Sequence, residues 1–282
     1  MEIIIAENAG FCFGVKRAMD LVWKEIVESN GKNIYALGPL IHNKQVVQRF
    51  EENGLVTLDE ITEVPEESKM IIRSHGVEKK IYDKADEKNI QIIDTTCPYV
   101  RKIHFIVKDH FDKGYQIILI GDKTHPEVIG INGWCDNKAI IINSLEQVSG
   151  LKLENSKKYC IVAQTTFNLN LYEEIIAQIE NKVENKQFFN TICSATRTRQ
   201  NSARELSKDV DAMIVIGGKH SSNTQKLVKI SKELIPTFAV ETKDELEEID
   251  FSNFEKVGIT AGASTPDWII EEVIQYLKDK TK

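Results

Sequence analysis

Short runs of apolar, mostly β-branched residues recur along the whole chain, separated by polar loops and amphipathic stretches. The runs are EIIIA, NIYAL, LVTL, MIIRS, IQIID, QIILI, AIIIN, CIVAQ, FFNT, AMIVI, TFAV and VGITA. Several are apolar throughout rather than alternating with period two, as expected of strands covered on both faces. Between most of them, apolar residues fall at helical spacing. Val15, Ala18, Val22 and Ile26 share one face of a helix expected over 15–27, with Gly31 as its stop. Pro266 is placed to open a helix over 266–278, where Ile269, Ile270, Val273 and Leu277 form the apolar stripe. Strands alternating with helices predict an α/β protein with mostly parallel sheets.

Three of the strand-to-helix junctions carry a cysteine. Cys12 follows EIIIA in GFCFGVKRA, Cys97 follows IQIID in DTTCPYVRKI, and Cys193 follows FFNT in NTICSATRTRQ. The later loops keep step. His42 in GPLIHN, His125 in GDKTHPEV and Ser221 in GGKHSSNT come 28 to 30 residues after the three cysteines. His75 in IRSHGV, Thr165 and Thr166 in AQTTFN, and Ser264 in TAGASTPD come 63 to 71 residues after them. Such a repeat marks similar structural units. The expected units are 13–96, 97–192 and 193–282, each with four strands. The third runs out of chain before its fourth strand, which the N-terminal segment 1–12 supplies. The expected fold is therefore three similar α/β units with mostly parallel sheets in a pseudo-threefold ring. Parallel sheets bind ligands at the carboxyl ends of their strands, so the loops of all three units would serve one central site.

Composition adds little to this picture but removes alternatives. Hydrophobic residues make up 41% and charged residues 28%, values ordinary for a globular protein. The net charge of −7 argues against nucleic-acid binding. The apolar start lacks the basic region and cleavage site of a signal peptide, and no run reaches membrane-spanning length, so the expected location is the cytoplasm. Five scattered cysteines, Cys12, Cys97, Cys135, Cys160 and Cys193, suit neither a disulfide scaffold nor a C-x-x-C site.

Three thiols from three units are too many for one nucleophile and one short of a four-cysteine shell. Each sits near a helix N-terminus, where the dipole favours thiolate and metal ligation. Thiolates select zinc, copper(I) or iron–sulfur clusters. Structural zinc normally staples nearby segments, whereas a cubane cluster is wide enough to gather ligands from distant loops. With three cysteines it leaves one iron open as a Lewis acid. His42, His75 and His125, with Ser221, Ser222, Asn223 and Ser264, form a donor-rich set suited to a diphosphate, helped by backbone amides at helix starts. Glu127, two residues past His125, is the candidate proton donor. Cys135 in GWCDN and Cys160 in CIVAQ read as structural, His104 and His110 as ordinary helix residues, and His220 as structural beside the serine loop.

Taken in order, GFCFGVKRA, GPLIHN, SHGV, DTTCP, GDKTHPEV, QTT, TICSAT, SSN and TAGASTPD resemble the 4-hydroxy-3-methylbut-2-enyl diphosphate reductase (LytB) family, over residues 10 to about 268. The resemblance implies one [4Fe–4S] cluster held by Cys12, Cys97 and Cys193 at the centre of the threefold fold. It implies an allylic diphosphate substrate bound by His42, His75, His125, Ser221, Ser222, Asn223 and Ser264, with Thr165 and Thr166 in the same pocket. It places Thr165 by the substrate hydroxymethyl group and Glu127 on the proton relay; Glu127, Thr165 and His125 are thus the catalytic set. It implies ferredoxin or flavodoxin as electron donor and isopentenyl and dimethylallyl diphosphate as products. Phe13 departs from the family, many of whose members carry a smaller residue there. Three other readings remain at this stage. They are a quinolinate-synthase-like dehydratase that uses the open iron without net reduction, a cluster-based sensor or carrier, and a zinc-stabilised binding module.

Overall fold

The computed structural model describes residues 1–280; residues 281 and 282, the end of the expected third unit, lie outside the described residues. From the N-terminus come β1 (Glu2–Ile5), α1 (Phe13–Glu28), β2 (Ile34–Leu37), α2 (Lys44–Glu51), β3 (Leu55–Leu58), β4 (Lys69–Ile72) and α3 (Lys79–Glu87). The middle of the chain forms β5 (Gln91–Asp94), α4 (Pro98–Asp112), β6 (Gln116–Ile120), α5 (Pro126–Asn132), β7 (Ile140–Ile142), α6 (Leu145–Gly150), β8 (Tyr159–Ala163) and α7 (Leu169–Glu180). Last come β9 (Lys186–Phe188), α8 (Ser194–Asp209), β10 (Ala212–Ile216), α9 (Ser222–Lys232), β11 (Thr237–Val240), β12 (Lys256–Ala261) and α10 (Asp267–Lys280).

The strands form three four-stranded sheets, β3-β2-β4-β5, β7-β6-β8-β9 and β11-β10-β12-β1, and every pairing is parallel. All three have one connectivity: the first strand beside the second on one side and the third on the other, with the fourth at the edge. In the last sheet that edge is β1, which pairs with β12, Glu2 opposite Lys256 and Ile5 opposite Ile259. By compactness the chain divides into two units. One comprises Met1–Lys16, Ile41–Arg49 and Ser194–Lys282 and holds the sheet containing β1; the other comprises Arg17–Leu40 and Phe50–Cys193 and holds the other two sheets.

Burial explains why these runs are apolar throughout. Along β6, Ile118 and Ile120 pack with Tyr172, Ile175 and Ile179 of α7, while Ile117 and Leu119 pack with Ile103 and Val107 of α4. Both faces of this strand are covered, so period-two alternation never appears. Two boundaries differ from the sequence pattern. The FFNT run yields only β9, which ends at Phe188, because Asn190 and Thr191 turn their side chains to the loop bonds described below. Pro266 lies just outside α10 and accepts the amides of Ile269 and Ile270.

Candidate active site

The first and third strands of each sheet are neighbours whose following helices depart in different directions, and the loops at that switch carry the polar residues. The loops after β2 and β4 carry His42 and His75, and those after β6 and β8 carry His125 and Thr165. Those after β10 and β12 carry Ser221 and Ser264. The fourth strand of each sheet leads into Cys97, Cys193 or Cys12.

One hydrogen bond recurs at all three cysteines. The amide of Cys97 donates to Ser74 O at 3.0 Å, that of Cys193 to Thr165 O at 3.0 Å, and that of Cys12 to Ala263 O at 3.2 Å. Each acceptor lies two residues past the end of the third strand of its sheet. The residues ahead of two of the cysteines show how the turn is built. Asp94 and Asn190 accept the amides of Thr96 and Ile192 in Asx-type turns. Thr95 Oγ1 donates to Ile72 O at 2.5 Å, and Thr191 Oγ1 to Ala163 O at 2.6 Å, tying each turn to the neighbouring strand. The stretch before Cys12 lacks this Asx–Thr pair. There the buried Arg199 of α8 reaches back and donates to Gly10 O at 2.7 Å.

In the larger unit, Glu127 is buried in the first turn of α5. Its carboxylate accepts the Thr165 amide at 2.6 Å and the Thr165 hydroxyl at 2.7 Å. Burial pushes the Glu127 carboxyl up to about 7, against the opposing pull of both Thr165 bonds. His125 caps the same helix: its Nδ1 accepts the Glu127 amide at 3.1 Å, which leaves the proton of the neutral ring on Nε2 as a donor. The rings of His75 and His125 meet edge to face, with centroids 5.5 Å apart. Thr166 accepts from the Gln164 side-chain amide at 3.1 Å.

In the other unit, Ser264 Oγ donates to His42 O at 3.4 Å. Ser221 caps α9 through the Thr224 amide, and Ser222 opens that helix. Asn223 is 4% exposed, yet among the described residues neither its side-chain oxygen nor its nitrogen has a hydrogen-bond partner. A buried amide left so is poised for a polar ligand.

Cys135 and Cys160 lie in the core under α4 and α5, where burial pushes their thiols up to about 11 and about 12; they are structural, as their apolar context indicates. His220 is exposed in the turn before α9 and His110 bonds Gln187 at 2.9 Å. His104 is not an ordinary helix residue. It is buried, stacked on Trp134 with ring centroids 5.1 Å apart, and burial pulls its imidazole down to about 4. It lies against Gly76, where φ is +71° and an added Cβ would come within 2.5 Å of the His104 ring. The ring therefore backs the turn that presents His75. Its position four residues after Val100, on the apolar face of α4, was the available signal.

Three parallel sheets of one strand order, each ending in a thiol-bearing junction and a polar loop pair, define an α/β enzyme. The chain belongs to the LytB protein family, whose model matches residues 3–278. It is 61% identical to the 4-hydroxy-3-methylbut-2-enyl diphosphate reductase of Clostridioides difficile, over 99% of this chain and all of that protein. It is 52% identical to the enzyme of the same name from Alkaliphilus oremlandii, over 99% of this chain and all of that protein. Among solved structures, the E-1-hydroxy-2-methyl-but-2-enyl-4-diphosphate reductase of Plasmodium falciparum superposes with a TM-score of 0.93 at 30% identity. That match covers 100% of this chain and 88% of the other. A second solved structure, that of (E)-4-hydroxy-3-methyl-but-2-enyl diphosphate reductase, the terminal enzyme of the non-mevalonate pathway, is 44% identical with a TM-score of 0.71. It covers 99% of this chain and all of the other. Among the described residues, no helix is long and apolar enough to cross a membrane.

Proposed function

We propose that this enzyme reductively removes the hydroxyl of 4-hydroxy-3-methylbut-2-enyl diphosphate to give isopentenyl and dimethylallyl diphosphate. Two electrons and two protons enter, and one water leaves. The observation that carries the reading is the Glu127–Thr165 pair, a buried acid that titrates near neutrality and bonds both the amide and the hydroxyl of one threonine. Family membership supports reduction over the dehydratase, sensor and zinc-module readings.

Cys12, Cys97 and Cys193 are the proposed ligands of one [4Fe–4S] cluster. The donor set suits it: each thiol sits at a helix start and is partly exposed, its amide is already committed to a neighbouring loop, and none forms a disulfide. When bound, the cluster supplies the electrons and a Lewis-acidic iron with an open position.

The chain's own residues do the rest. Asn223, Ser221, Ser222 and Ser264, with His42, hold the diphosphate by hydrogen bonds, and His75 and His125 add imidazole donors. Glu127 passes a proton through the Thr165 hydroxyl toward the departing oxygen, which leaves as water. The substrate's diphosphate completes this relay. A second proton, delivered to either end of the allyl system, sets which isomer forms. Ferredoxin or flavodoxin is the proposed electron donor, and the cytoplasm the proposed location. Anaerobic turnover with a reduced artificial donor, analysed for both products, tests the assignment. Absence of both products from cluster-loaded protein would refute it.

A further inference from the structure

A cavity of about 260 Å³ opens in the larger unit beside the ends of β2 and β4. Leu37, Pro39, Ile81, Pro126 and Ile129 give it largely apolar walls, and Arg73 is the one cation lining it among the described residues. Among the described residues, Arg73 Nε is buried without a hydrogen-bond partner and no carboxylate lies within ion-pair distance of the guanidinium. Burial pulls this group below the ordinary arginine range. A desolvated cation without a counter-charge is unfavourable, and a bound anion would relieve it. The loop beside it makes room: Gly38 has φ +70°, and an added Cβ would lie 2.5 Å from Arg73 Nη1. None of the residues assigned to the diphosphate lines the cavity.

Two carboxylates border the same space. Asp59 is exposed, and Glu78 is engaged by Lys80 at 2.7 Å and by Asn137 at 3.2 Å. Their negative charge disfavours a doubly charged ligand. We infer that the cavity binds a small organic monoanion, a carboxylate with a short apolar tail, its head forked onto Arg73 and its tail against Pro39, Ile81 and Ile129. Arg73 is two residues before His75, and Pro126 directly follows His125, so an occupant bears on both histidine loops.

The test titrates pentanoate, pentanol and inorganic phosphate by ligand-observed NMR against the wild type, Arg73→Met, Ile129→Trp and Asn223→Ala, with thermal unfolding confirming that each is folded. Pentanoate should bind the wild type about tenfold or more tightly than either other probe. Its affinity should fall by about the same factor in Arg73→Met. Ile129→Trp, which fills the space while keeping the arginine, should lose binding as well and carries the test if Arg73→Met does not fold. Asn223→Ala should bind pentanoate as the wild type does. No pentanoate binding to the wild type, equal binding by the wild type and Arg73→Met, pentanol matching pentanoate, or loss of binding in Asn223→Ala would each overturn the inference.

Discussion

The amide of Cys193 donates to the carbonyl of Thr165, whose own amide and hydroxyl are donated to Glu127. A proposed cluster ligand, the proposed relay hydroxyl and the proposed acid are consecutive members of one hydrogen-bonded chain within one unit. Geometry at the thiol and proton delivery are thereby set by the same loop.

The first consequence concerns Glu127. Glu127→Gln keeps the size and can still accept from Thr165 but cannot act as an acid, so kcat should fall by about 10²–10³ with cluster absorbance unchanged. Anaerobic steady-state kinetics beside the visible spectrum check this. Full turnover with an intact spectrum would remove Glu127 from the mechanism.

The same carboxyl makes a pH prediction. Its folded value of about 7 exceeds the ordinary 4.5, so the folded state binds more protons between these values and loses stability as pH rises through them. The loss approaches about 3 kcal/mol by pH 7.5 and should be missing in Glu127→Gln, as read from denaturant unfolding of the two proteins across that range. Turnover limited by this acid should fall about tenfold per pH unit above 7.

His104 carries the opposite sign. Its folded value of about 4 lies below the ordinary 6.5, so its contribution is complete above 6.5 and is lost as pH falls toward 4. His104→Phe retains a ring to stack on Trp134 and should escape that loss, about 3 kcal/mol at pH 4 relative to the wild type. Paired unfolding curves at pH 4 and pH 7.5 decide it; identical pH dependence in the two proteins would contradict the burial account.

Thr191 bears on how firmly the proposed cluster would be held. Thr191→Val keeps the shape but removes the hydroxyl, which donates to Ala163 O and accepts the Ala163 amide and so braces the turn before Cys193. At a net strength of about 1 kcal/mol per bond, losing one to both corresponds to roughly fivefold to thirtyfold faster release of iron to a chelator. Chelator-trapped iron followed over time checks this, and an unchanged rate would show that the turn is held by other contacts.

The strands were legible because their runs are apolar on both faces, as in β6, and the cysteines because each sits where such a run gives way to a helix. The Cys–x–loop hydrogen bonds were not legible, since they use backbone groups that any residue supplies. The Asx–Thr turns of DTTC and NTIC were written in the sequence but became meaningful only when Thr95 and Thr191 proved to bond neighbouring strands. The Arg199–Gly10 bond spans 189 residues, a separation that no local sequence pattern marks. His104 reads in sequence as an ordinary helix residue, because a helical spacing does not say what a buried ring packs on, although that spacing sets it on the buried stripe of α4. The Glu127–Thr165 contact joins loops 38 residues apart, and only the adjacency of β6 and β8 brings them together.

The measurement that bears most directly on the central claim is anaerobic reduction of 4-hydroxy-3-methylbut-2-enyl diphosphate by the wild type and by Cys12→Ser, with iron and sulfide determined on the same samples. The wild type should carry about four iron and four sulfide per chain and form both five-carbon diphosphates, while Cys12→Ser should lose most of its cluster and its turnover. A wild type that turns over without iron and sulfide, or a Cys12→Ser protein that keeps both cluster and rate, would contradict the account.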